Sequence, residues 1–159
     1  IDTGAATDIG VDRGEGYNMN IPLPPGGGHT LYLEAMERLI LPRLREFQPD
    51  IIIIACGFDA SAIDPLARML ATSETFGQLT KFVMGAAHEL CSDRLSMIHE
   101  GGYSEVYVPF CGHRVIQELS NSSIKAEDPY KFLFESRQPS KRVQNFYSEL
   151  ITELEQFFF

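Results

Sequence analysis

The sequence is poor in cysteine and in positive charge. It contains three cysteines and no Cys-x-x-Cys pair, which argues against a disulfide scaffold and against a cysteine-ligated zinc site. Lysine and arginine total 13 against 22 acidic residues, so the formal net charge is -9. Phosphate binding needs clustered basic residues, and the composition therefore predicts no nucleic-acid surface. The apolar runs are too short to span a bilayer, so no membrane segment is predicted.

The remaining composition is that of a globular domain. Hydrophobic residues make up 44% of the 159 residues and charged residues 22%, which is enough for one domain with a core. The scarcity of cysteine pairs makes a reducing, cytoplasmic setting the expectation, and homo-oligomerisation stays open. The first 16 residues lack a core-forming period and the chain closes on three phenylalanines. We therefore expect a piece of a longer polypeptide.

Hydrophobic periodicity predicts strands that alternate with helices. A short strand is expected at 16–23 and a helix over 31–47, with Thr30 as N-cap and a kink or division at Pro42. The continuous apolar run at 51–55 is typical of a parallel strand covered on both faces. The remaining predicted elements are a helix with Ser73 as N-cap that runs to about Cys91, a strand at 95–99, a helix that ends at Leu119, a connector at 121–140 and a last helix at 141–156. This order indicates an α/β fold with a mainly parallel sheet.

Two of the predicted strands are followed directly by residues that can carry chemistry. Asp59 and Asp64 follow the isoleucine run, and Tyr103 follows the strand at 95–99. Parallel sheets bind ligands beyond the carboxyl ends of their strands, so these groups should meet at one edge. The alternative is that Asp59 is an ordinary turn residue or helix cap. Gly101–Gly102 is either a plain turn or a place where the backbone approaches a ligand closely.

Two segments, GFDASAIDPL (57–66) and EGGY (100–103), together carry a family resemblance. The sequence resembles the zinc-dependent deacetylases of the arginase/deacetylase fold, which comprise the class II histone deacetylases and the acetylpolyamine amidohydrolases. GEGYNMNIPLPPG and DPLARMLATSETFGQLT agree in the same order, so the resemblance covers residues 1 to about 120. It implies a three-layer α/β/α fold, incomplete here. It also makes residues 1–159 the C-terminal portion of a single catalytic domain.

The resemblance implies roles for five residues. Asp59 would be one ligand of a catalytic Zn²⁺, and Tyr103 would polarise the acetyl carbonyl and stabilise the oxyanion. Gly101 and Gly102 would form the wall near the acyl group, and Leu66 would line the substrate tunnel. The implied reaction is hydrolysis of an N-acetyl amide on a lysine or a polyamine.

The family's other metal ligands and its general bases have no counterpart in this sequence. Family members carry an Asp-x-His pair and a His-His pair. None of the four histidines here is adjacent to another or follows an aspartate by two positions. We expect those residues on a missing N-terminal half of the domain, and we expect the isolated chain to be inactive. Asp64 is expected to hold its own loop, and a role behind the metal site stays open for it.

Two other functions stay open at this point. The segment PPGGGHT (24–30) could cradle a phosphate at a helix N-terminus in a flavodoxin-like nucleotide-binding module. That signal is weak, because the sequence has neither G-x-G-x-x-G nor G-K-[ST]. The chain could also be a non-catalytic scaffold with the deacetylase fold, although Asp59 and Tyr103 argue against such a loss of function.

Overall fold

A computed structural model describes residues 4–159 and shows helices packed against one face of a two-stranded parallel sheet. The elements are α1 (His29–Ala35), α2 (Leu41–Phe47), β1 (Ile52–Cys56), α3 (Ser73–Cys91), β2 (Leu95–His99), α4 (Val108–Leu119), α5 (Lys131–Ser136) and α6 (Lys141–Phe158). A short 3-10 helix, Asp12–Gly14, precedes them, and a π-helical segment, Met36–Ile40, joins α1 to α2. Within the described range no helix has the length and apolar character that crossing a bilayer requires.

The isoleucine strand is covered on one face only in the part of the chain that the structure describes. β1 pairs with β2 in parallel, from Ile52 opposite Leu95 to Cys56 opposite His99. Ile52 packs on α3, whereas the side chain of Ile53 is 61% exposed. The prediction that both faces are buried is therefore wrong for the described residues. A parallel strand needs a helical layer on each side for that, and these residues supply one layer.

The segment at 16–23 is irregular chain and not the predicted strand. Its apolar residues Met19, Ile21 and Leu23 pack against the core between α1 and α6. Three prolines lie within or just after the segment, and proline removes the N–H that a sheet ladder needs. Apolar alternation here therefore reflects packing under helices and not pairing with another strand.

Both predicted N-caps lie inside the helices. α1 begins with Gly28 as N-cap instead of Thr30, because a side-chain oxygen from elsewhere in the chain binds the first N–H of the helix. α3 is capped by Thr72 instead of Ser73. The N–H of Thr75 donates to Thr72 Oγ1 at 3.3 Å, and the N–H of Thr72 donates to Thr75 Oγ1 at 3.0 Å. This reciprocal pair is a capping box built from two threonines.

Pro42 divides the predicted helix at 31–47, as expected. It lies at the start of α2, directly after the π-helical segment Met36–Ile40. A proline has no N–H to donate, and its ring clashes with the carbonyl group four residues earlier, here that of Arg38. A wider π-helical turn relieves that clash, and the backbone keeps right-handed helical angles on both sides of it.

The connector at 121–140 contains α5 and is fastened to the rest of the fold through Asp128. The hydroxyl of Tyr107 donates to Asp128 Oδ2 at 2.9 Å, and the hydroxyl of Ser73 donates to the same oxygen at 2.6 Å. The N–H of Ser73 donates in turn to the Tyr107 hydroxyl at 2.9 Å. Burial raises the pKa of Tyr107 far above its usual range, so its hydroxyl stays a donor at neutral pH.

The last helix, α6, ends at Phe158, which is two residues beyond the predicted end.

Tyr107→Phe should destabilise the fold. It leaves the Ser73 N–H and the Asp128 carboxylate short of a buried partner, which should lower the free energy of unfolding by about 1–3 kcal/mol. Urea unfolding of the chain measures the change. The matched control Tyr17→Phe removes a hydroxyl from a side chain that is 75% exposed, and should change the free energy by less than about 0.5 kcal/mol. Equal losses in the two variants would contradict the role of the network.

Candidate active site

The segments that follow β1 and β2 lie side by side and continue the pairing of the strands. The N–H of Glu100 donates to the carbonyl of Cys56 at 3.1 Å, and the N–H of Phe58 donates to the carbonyl of Gly101 at 2.8 Å. These bonds extend the evenly spaced pattern of a parallel ladder past the strand ends. The loop that carries Asp59 is therefore held against the loop that leads to Tyr103.

Two glycines leave the space that the Asp59 carboxylate occupies. A methyl group on Gly101 would lie 2.5 Å from Asp59 Oδ2, and a methyl group on Gly57 would lie 2.7 Å from Asp59 Oδ1. Both distances are well inside van der Waals contact. Neither glycine can therefore take a side chain unless the carboxylate moves.

The Asp59 carboxylate has an unusual environment for a half-buried charge. Within residues 4–159 it accepts no hydrogen bond, whereas the carboxylate of Asp64 accepts three. A partly buried carboxylate is costly unless a donor or a cation compensates it. Asp59 is therefore chemically suited to be one ligand of a divalent cation such as Zn²⁺. No cluster of three or more His, Cys, Asp or Glu side chains able to hold a metal ion occurs in these residues.

Tyr32 is a neighbour of Asp59 that the sequence did not single out. Burial raises the pKa of Tyr32 to about 12, and the negative charge of Asp59 adds to the increase. The phenol is therefore protonated at neutral pH. Tyr32 lines a cavity of about 200 Å³ together with Gly57 and Ala60. Tyr32 comes into this position because its side chain packs against the core cluster that contains Phe58, and no local sequence pattern indicates that contact.

Asp64 connects the two loops. Its Oδ1 accepts hydrogen bonds from the N–H groups of Leu66 at 2.9 Å and Ala67 at 3.3 Å. Its Oδ2 accepts one from the N–H of Tyr103 at 2.7 Å. Asp64 therefore holds its own loop, as the sequence led us to expect, and also reaches the loop after β2.

The side chains of Leu66 and Tyr103 are exposed, at 72% and 54%. Gly102 precedes Tyr103 and has φ +128°, a backbone conformation that residues with a side chain rarely adopt. A Cβ on Gly102 would also lie 3.0 Å from Phe58 Cβ. The structure thus brings Asp59 against Gly101, and it joins the backbones of Leu66 and Tyr103 through Asp64.

The glycine loop at 24–30 is filled by Gln138. The N–H of His29 donates to Gln138 Oε1 at 2.8 Å, and Gln138 Nε2 donates to the carbonyl of Leu70 at 2.9 Å. The first donor of α1 is therefore already used, and α1 has only seven residues. This geometry does not favour the phosphate-binding alternative, which needs free N–H groups at the helix start.

The comparison with known families decides the membership of the chain. The histone deacetylase domain model matches residues 2–119. The chain belongs to this family. A histone deacetylase-like amidohydrolase of Pseudomonas aeruginosa is 49% identical over 149 residues, which are 94% of this chain and 39% of that protein. Histone deacetylase 8 of Arabidopsis thaliana is 38% identical over 127 residues, which are 80% of this chain and 33% of that protein. The chain thus spans well under half the length of these curated relatives.

Solved histone deacetylase structures share the fold. The histone deacetylase Clr3 matches with a TM-score of 0.75 and 25% identity, over 98% of this chain and 24% of that chain. The HD domain of HDA15 matches with a TM-score of 0.70 and 28% identity, over 98% of this chain and 42% of that chain. The family resemblance and the arginase/deacetylase-like α/β fold predicted from the sequence are confirmed. The structural matches also include α5 and α6, which lie beyond the region that the family model matches.

Gly101→Ala should disturb the Asp59 loop of this histone deacetylase-family chain. The added methyl group would overlap Oδ2 and Cγ of Asp59, and overpacking of this kind costs about 1–3 kcal/mol of unfolding free energy. Urea unfolding, with the NMR shifts of Asp59 as a local probe, tests this. The matched control is Gly85→Ala in the middle of α3, where nothing lies within 4 Å. That change should stabilise the chain by about 0.5–1 kcal/mol, so a destabilisation by both substitutions, or by neither, would contradict the steric role of Gly101.

Proposed function

We propose that this chain is the C-terminal portion of the catalytic domain of a zinc-dependent deacetylase that hydrolyses an N-acetyl amide. The single observation that carries the proposal is the Asp59 carboxylate, which lies between two glycines without a hydrogen-bond donor from the described residues. The loop of Tyr103 lies beside it at the same edge of the sheet. The relatives are an amidohydrolase and a histone deacetylase by name, which supports the reaction class.

Asp59 would hold Zn²⁺ through a carboxylate oxygen. When bound, the metal supplies the polarisation of the acetyl carbonyl and the activation of water. The phenol of Tyr103 would donate a hydrogen bond to the substrate oxygen as negative charge develops on it. Gly101 and Gly102 would let the acyl group approach the backbone, because neither carries a side chain.

Leu66 would contact the methylene chain of the substrate. Its side chain is exposed on the loop that Asp64 holds, and a lysine or a polyamine presents an apolar stem of methylene groups. The net charge of -9 is compatible with a cationic substrate through the overall field. Both an acetylated lysine and an acetylated polyamine fit this chemistry.

The remaining metal ligands and the general base would come from polypeptide outside this chain. The short coverage of the relatives, 39% and 33% of their lengths, supports this. The open face of the sheet also supports it, since Ile53 and Ile98 are 61% and 51% exposed there. One carboxylate is a poor zinc site, so the isolated chain would bind zinc weakly and would not hydrolyse amides.

The compartment would be reducing and cytoplasmic. All three cysteines are free thiols in the structure, and two of them are buried in the core. Disulfides are rare where glutathione and thioredoxin keep thiols reduced.

Asp59→Ala in the full-length polypeptide should abolish both zinc binding and deacetylation, because it removes a metal ligand. Metal analysis of the purified protein and hydrolysis of an acetyl-lysine peptide and of N-acetylputrescine measure the two effects. The control Asp50→Ala removes an exposed carboxylate just before β1 and should keep both. An Asp59→Ala enzyme with full zinc content would refute the ligand assignment.

Tyr103→Phe in the same polypeptide should separate catalysis from metal binding. Loss of one oxyanion donor lowers kcat by about 10²–10³-fold. Zinc content should stay unchanged, since the phenol is not proposed as a ligand. The control Tyr17→Phe should leave kcat as in the wild type. A Tyr103→Phe enzyme with wild-type kcat would show that Tyr103 is not the oxyanion donor.

A further inference from the structure

Asp64 is a buried carboxylate between two exposed side chains to which the proposed function gives roles. Asp64 is only 8% exposed, while Leu66 and Tyr103 are 72% and 54% exposed. Its three hydrogen bonds all come from backbone N–H groups, which stabilise a buried negative charge more strongly than a neutral acceptor.

The two oxygens of Asp64 have different tasks. Oδ1 accepts the N–H groups of Leu66 and Ala67, two and three residues ahead, and closes a local turn. Oδ2 reaches the N–H of Tyr103, which is 39 residues away in the sequence, at 2.7 Å. A carboxylate that only closed its own turn would need Oδ1 alone.

The bond from Oδ2 reaches the residue that directly follows a pair of glycines. Gly101 and Gly102 precede Tyr103, and Gly102 has a positive φ of +128°. Glycine allows many backbone directions at little cost, so the glycine pair by itself does not fix the direction of the next residue. The bond to Asp64 supplies that restraint at the backbone N–H of Tyr103 itself.

We infer that Asp64 is a positioning residue that fixes the backbone of Tyr103 and the turn of Leu66 relative to each other. The phenol of Tyr103 and the side chain of Leu66 can then contact the same substrate molecule. The inference rests on the proposed function, because Tyr103 matters to catalysis only there. Asp64 itself touches no reacting atom in this scheme. Its contribution is the orientation of Tyr103, and small displacements of a catalytic group are costly in rate.

Asp64→Asn separates the two tasks with almost no change of shape. Asparagine keeps one acceptor oxygen and replaces the other with a donating amide group. With its oxygen toward Leu66 and Ala67, the turn persists, but the amide faces the Tyr103 N–H and cannot accept from it. In the full-length enzyme we expect kcat to fall by about 10–100-fold while KM stays close to the wild-type value. The matched control Asp50→Asn should change neither constant.

A double variant tests whether Asp64 acts through Tyr103. In the Tyr103→Phe enzyme the phenol is already absent, so adding Asp64→Asn should cost little further activity. A residue that only stabilised the fold would lower activity by the same factor in both backgrounds. Equal factors, or a wild-type kcat for Asp64→Asn alone, would overturn the inference.

Hydrogen exchange of the 159-residue chain gives a second measurement that needs no activity. In the wild type the amides of Tyr103 and Leu66 should both be protected, and Asp64→Asn should speed exchange at Tyr103 far more than at Leu66. A wild-type Tyr103 amide that exchanges as fast as an unstructured one would overturn the inference, even if the variant does not fold. An inactive wild-type full-length protein would instead refute the proposed function, and the exchange data would then decide the Asp64 contact alone.

Discussion

The N–H of Phe58 donates to the carbonyl of Gly101, and the N–H of Glu100 donates to that of Cys56. These two bonds carry the pairing of β1 and β2 beyond the last strand residues, and every group in the candidate site depends on them. Without them the loops of Asp59 and Tyr103 would be joined by the hydrogen bond from the Tyr103 N–H to Asp64 and not by backbone pairing. Backbone pairing fixes the position of one loop relative to the other more firmly than side-chain contacts do, because it restrains the φ and ψ angles of both loops.

Two carboxylates within six positions of each other have opposite environments in this site. Asp64 is buried and fully provided with N–H donors, which is the ordinary condition of a structural carboxylate. Asp59 is half-buried and receives no hydrogen bond from the described residues, while Gly57 and Gly101 leave room for it. The second arrangement leaves the Asp59 carboxylate able to accept a cation or a further donor.

The connector at 121–140 is hydrogen-bonded to α1, to the start of α3 and to the segment that follows the Asp64 loop. Asp128 binds the start of α3 and the hydroxyl of Tyr107, and Gln138 binds the first turn of α1 and the carbonyl of Leu70. Leu70 follows the loop that Asp64 holds. The connector therefore contacts the chain just after that loop. The structural likeness to the solved deacetylases likewise extends past the residues that the family model matches.

The sequence by itself determined the family and the alternation of strands and helices, and it pointed to the residues of the candidate site. The period of α3 and the strand of residues 95–99 were evident from local pattern, since propensity and spacing act within a few residues. Tertiary structure decided the rest. It made 16–23 irregular chain, moved both N-caps and left one face of β1 open. It also placed Tyr32 near Asp59, joined Asp64 to Tyr103 across 39 residues and put Gln138 into a loop 109 residues away. These contacts join distant parts of the chain, and their energy exists only once the helices have packed on the sheet.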